Sequence, residues 1–82
     1  MTAGEALGRA VVIHRTVKGH KRKELASMAG ISYPFMSEIE TGMKEPSLTV
    51  LRRVAWALDL ELSVLIRDAE RVERGESLLG AL

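Results

Sequence analysis

With 82 residues and a net charge of +1, the chain has room for one domain and one modest core. It holds no cysteine, which excludes disulfides and thiolate metal sites and fits a reducing compartment, so a cytoplasmic protein is expected. The charge is unevenly placed: residues 1–58 carry nine Lys/Arg against five Asp/Glu, and residues 59–82 carry three against six.

The periodicity is helical throughout and no β-branched alternation lasts, so an all-α fold of five helices is expected. Helix one opens at Thr2, where "TAGE" fits a capping box between Thr2 and Glu5. Leu7, Ala10, Val11 and His14 would face inward, and Gly19 ends the helix. Helix two covers about Lys21 to Ala29, with Leu25, Ala26 and Met28 apolar, and Gly30 stops it. After the turn "GIS", Ser32 caps helix three, which runs to Thr41 with Met36 and Ile39 inward. Ser47 caps helix four, about Leu48 to Leu58, whose stripe is Leu48, Leu51, Val54, Ala55 and Leu58. Helix five begins near Glu61, turns Leu62, Leu65 and Ile66 inward, and extends to about Arg74.

Several functions find no residues to carry them. There is no Ser/His/Asp or Cys/His set and no Gly-rich phosphate loop, so neither enzyme activity nor a cofactor is expected. His14 and His20 lack a third ligand, so no metal site is expected. Apolar runs such as Ala10 to Ile13 are too short to span a bilayer. The densest basic run, "RTVKGHKRK" at 15–23, suggests a polyanionic partner.

Helix two, a three-residue turn and helix three make a helix-turn-helix over about 21–41, in which the second helix enters the major groove. Ala26 is small where the helices approach, and Ile31 can plug the corner. With "KELASMAGIS", "MSEIETG", "EPSLTVLRRVAWALDL" and "LSVLI" at these spacings, the chain resembles the phage-repressor/Cro-like (Xre) family over roughly residues 6–66. The resemblance implies a five-helix DNA-binding domain at 1–67, with 68–82 as an extension. It also implies a transcriptional regulator, here expected to be a repressor, that binds palindromic double-stranded DNA at the nucleoid as a homodimer. An antitoxin-like protein that holds a protein partner through 68–82 is the alternative.

Residue by residue, the family's phosphate-touching Gln at the front of helix two is Arg22 here, flanked by Lys21 and Lys23. These three cations oppose the helix dipole, and Lys21 replaces a capping residue, a local cost that points to function. Base contacts are expected from Tyr33, Pro34, Ser37 and Glu38. Further phosphate contacts are expected from Ser32, Phe35, Thr41 and Lys44, with free amides near Gly42 and Met43. An ion pair between Arg15 and Glu40 is implied by the family. Trp56, Leu62 and Val64 would line a two-fold dimer interface; alternatively, the extension with Val72, Leu78, Leu79 and Leu82 folds back over helix one.

Overall fold

The computed structural model describes residues 1–78. Those residues form five α-helices and no strand: α1 (Ala3–Lys18), α2 (Arg22–Ala29), α3 (Tyr33–Glu40), α4 (Leu48–Ala57) and α5 (Leu62–Glu73). The all-α expectation therefore holds, with helix ends within about a residue of those read from the sequence.

The starts follow from local chemistry. Thr2 Oγ1 accepts from the Glu5 amide at 3.0 Å, and Glu5 Oε1 accepts from the Thr2 amide at 2.8 Å, closing the capping box. The Thr2 amide also holds the Glu5 carboxyl below its ordinary range. Ser32 and Ser47 each accept at 3.2 Å from the amide three residues on, capping α3 and α4. At α2 the Lys21 side chain offers no acceptor. Glu24 alone reaches back, accepting from the Lys21 amide at 2.7 Å.

The core is enclosed by all five helices. Val11, Leu25, Met36, Val54, Leu58 and Leu65 are among its fully buried members. The inward stripe of α4 begins one turn later than expected: Leu48, in the first turn, is 64% exposed. Met28 and Ile66 are also exposed, because each lies at the margin of its helix's apolar face.

Two close approaches set α1 against its neighbours. Gly8 lies against the end of α3, where a Cβ would stand 2.5 Å from the carbonyl oxygens of Ile39 and Glu40. Gly42, at φ +78°, abuts Glu5, whose Cα would be 2.8 Å from an added Cβ. Along α5, the buried His14 Nε2 donates to the buried Asp68 Oδ2 at 2.7 Å.

The expected boundary at residue 67 falls inside α5, which continues unbroken to Glu73. Beyond it, Glu76 pairs with Arg74 at 2.8 Å and Arg71 at 3.3 Å, and Arg74 foremost holds its carboxyl below the usual range. Val72 and Leu78 are buried members of the core cluster. Leu78 lines one surface with Arg9 and Ile13 of α1, so the described part of the extension folds back over α1. Leu79 and Leu82 lie outside the described residues.

Candidate nucleic-acid interface

The interface is built from the starts of α2 and α3 and the turn between them. Gly30 makes that turn possible: at φ 72° it adopts the left-handed conformation that closes α2, and its amide donates to Ser27 O at 3.1 Å. Ile31 N donates to Ala26 O at 3.0 Å, while the Ile31 side chain packs against the core. Ala26 is buried.

At the front of α2, Lys21 and Lys23 are exposed and carry no ion pair among the described residues. Arg22 is placed differently. Its Nε donates to Glu40 Oε1 at 2.9 Å, and its Nη1 donates to Ser37 Oγ at 3.1 Å. Its Cζ lies 6.0 Å from the Tyr33 ring centroid, at the outer limit of a cation–π contact. The hydrogen bond to Glu40 raises the Arg22 pKa further above its already high value. The Tyr33 side chain, too, acts on the Arg22 guanidinium and favours its charged form.

Glu40 is the hub behind this surface. Its side chain is fully buried and also accepts from Arg15 Nε at 2.9 Å and Arg15 Nη2 at 3.1 Å. Arg15 Nη1 donates onward to His20 O at 3.1 Å. Two guanidiniums on one carboxylate leave a local excess of one positive charge, tied to the end of α3 and facing the start of α2. Arg15 was expected at Glu40 from the family resemblance; Arg22 was not expected there. No sequence spacing announced it, because residue 22 reaches residue 40 only once the two helices are folded.

On α3, Tyr33 and Pro34 are exposed at the first turn, with Ser37 and Glu38 partly exposed one turn on. Pro34 sits where its missing N–H costs nothing. Glu38 Oε2 lies 3.5 Å from Lys44 Nζ, a surface pair worth little to stability that still offsets the Glu38 charge. Phe35 is partly buried, and its amide is already given to Ser32 Oγ. Ser32 keeps its hydroxyl proton, since that oxygen accepts within the chain.

The loop after α3 corrects one expectation. The amides near Gly42 and Met43 are not free: Gly42 N donates to Ile39 O at 3.1 Å, and Met43 N and Lys44 N donate to Glu38 O at 2.9 and 3.2 Å. They satisfy the last carbonyls of α3, which would otherwise be orphaned. The Thr41 hydroxyl likewise donates to Ser37 O at 2.9 Å. Lys44 remains as the exposed cation of that loop.

A family model described as helix-turn-helix matches residues 14–65, a span holding α2, the turn, α3 and α4. The chain belongs to the helix-turn-helix family. It is of the phage-repressor/Cro-like (Xre) type that its sequence resembles. Among similar proteins is the transcriptional regulator ClgR of Mycobacterium tuberculosis, 43% identical over 68 residues covering 82% of this chain and 61% of ClgR. The helix-turn-helix chain thus spans less than two thirds of that relative. The ImmF control region 10 kDa protein of Bacillus phage phi105 is 36% identical over 76 residues, which cover 92% of this chain and 84% of the phage protein. A crystal structure of the clp gene regulator ClgR from Corynebacterium glutamicum superposes with a TM-score of 0.86 at 32% identity, covering 90% of this chain and 79% of that one. The restriction-modification controller protein C.AhdI from Aeromonas hydrophila superposes at 0.73 with 30% identity, over 74% of this chain and 92% of its own. No helix among the described residues is long and apolar enough to cross a membrane.

Proposed function

We propose that the protein is a sequence-specific regulator of transcription that reads the major groove with α3, acts as a homodimer and represses by covering its operator. The observation that carries this reading is the surface at the starts of α2 and α3. There, Lys21 and Lys23 stand unpaired beside Arg22, above an exposed face of Tyr33, Pro34, Ser37 and Glu38. Phosphate contacts fall to Lys21, Lys23, Lys44, the Ser32 hydroxyl and the Arg22 guanidinium. Base-edge contacts fall to Tyr33, Pro34, Ser37 and Glu38, with the Tyr33 ring and Pro34 suited to a thymine methyl and Glu38 to a cytosine amino group.

Each lysine at this surface that meets a phosphate releases about one counterion. Lys23→Ala is therefore expected to weaken binding to every sequence and to lower the slope of log affinity against log salt by roughly one unit. Fluorescence anisotropy on a labelled duplex over a salt series checks this. An unchanged slope would take Lys23 out of the interface.

The dimer reading rests on Trp56, which is 74% exposed on α4. Leu60, Asp59 and Glu61 line the same surface, and Leu62 and Val64 follow, partly buried, at the start of α5. Arg52 and Arg53 are exposed one turn earlier on α4. A face that carries an aromatic anchor, two cations and two anions can complement its own copy about a two-fold axis. Trp56→Ala is expected to weaken dimerisation by roughly thirtyfold, the scale of an interface hot spot. Sedimentation equilibrium gives that constant, and an unaltered value would move the interface elsewhere. Partner binding through the tail draws less support, because the described apolar residues there, Val72 and Leu78, are buried.

A further inference from the structure

Ser37 stands one turn into α3, partly exposed, and its hydroxyl is not free to choose a direction. Arg22 Nη1 donates to Ser37 Oγ at 3.1 Å. Arg22 is itself fixed, since its Nε donates to the buried Glu40, which Arg15 holds from another side. One guanidinium thus touches residues 33, 37 and 40, each on the flank of α3 that faces α2.

A hydroxyl has one proton and two acceptor lone pairs. An N–H from a permanent cation occupies one lone pair and turns the proton away from itself. Ser37 Oγ has no other hydrogen-bond partner among the described residues, so that proton is unspent. Resting on α3 as the groove-reading helix, we infer that Ser37, oriented by Arg22, is a hydrogen-bond donor that selects guanine over cytosine at one position of each half-site. Guanine presents two adjacent acceptors in the major groove, N7 and O6, whereas cytosine presents an N4 amino donor that meets another donor. Arg22 acts here as a positioning residue: its fork geometry aims the Ser37 hydroxyl, and its charge attracts the backbone.

Selection from random duplex DNA with the full chain, run on wild type, Ser37→Ala and Arg22→Lys, tests this. The wild type is expected to favour guanine over cytosine at one position per half-site. Ser37→Ala flattens that preference by about three- to tenfold and leaves other positions alone. Arg22→Lys keeps the charge but loses the planar fork that bridges Glu40 and Ser37. It is expected to flatten the same position while the salt slope stays near the wild-type value. Equal weakening on all sequences in Ser37→Ala would make the hydroxyl a phosphate ligand and overturn the inference. So would an Arg22→Lys variant with an unaltered motif. Ser37→Ala leaves both arginines on Glu40, so it tests the inference even where Arg22→Lys unfolds, as circular dichroism would show. A wild type that enriches no motif would instead overturn sequence reading itself, and this inference with it.

Discussion

Glu40→Ala is expected to destabilise the domain by about 3–5 kcal/mol, the scale of breaking a buried ion pair from one side. The Glu40 side chain is fully buried and accepts three hydrogen bonds, two from Arg15 and one from Arg22. Its removal leaves two guanidiniums facing each other with no anion between them. Both are partly solvated, at 15% and 30% side-chain exposure, which places the cost toward the lower end. A domain of this size has only about 5–15 kcal/mol of net stability, so the change should shift the urea midpoint strongly. Glu40→Gln preserves the shape and should cost less. A Glu40→Ala loss below about 1 kcal/mol would mean that water or repacking replaces the carboxylate, and the hub would lose its structural role.

Gly8→Ala is the second large effect. Alanine in the middle of an open helix would stabilise by about 1 kcal/mol relative to glycine. Here the new methyl would stand 2.5 Å from two backbone carbonyl oxygens, Ile39 O and Glu40 O, and no side chain can turn aside to make room. α1 must move away from the end of α3, which strains the Arg15–Glu40 hydrogen bonds carried by those same two helices. Overpacking of this kind typically costs about 1–3 kcal/mol and sometimes more, so net destabilisation of about 2 kcal/mol is expected. Thermal unfolding of the variant checks it. A rise in Tm would show that α1 and α3 do not approach as closely as described.

The helix starts and the turn between α2 and α3 were legible in the sequence. Thr2, Ser32 and Ser47 mark helix starts because a short side-chain oxygen must satisfy amides that have no helical partner. The turn at Gly30 and the small Ala26 were readable because their constraints lie within a few residues of chain. Gly8 carried a signal, four residues after Gly4 in "AGEALG", but the element it meets lies some thirty residues away. Asp68 reads as one more charge on an exposed helix until α5 lies along α1 and brings it to His14. The loop amides after Thr41 looked available because sequence does not show which carbonyls at a helix end remain to be filled. Arg22 looked like a plain phosphate ligand, and the folded chain spends part of that guanidinium on Glu40 and Ser37. The loop amides apart, what the sequence withheld was long-range contact, and the contacts of Gly8 and Arg22 bear on the seat of α3.

In the proposed function, α3 reads DNA sequence as part of a two-fold assembly. That reading is tested most directly by selection from random duplex DNA with the wild-type protein at physiological salt. Enrichment of an inverted repeat whose half-sites lie about one helical turn, roughly 34 Å, apart is expected. Weak, salt-sensitive binding with no enriched sequence would contradict it and reduce the basic surface at Lys21, Arg22 and Lys23 to a nonspecific polyanion site.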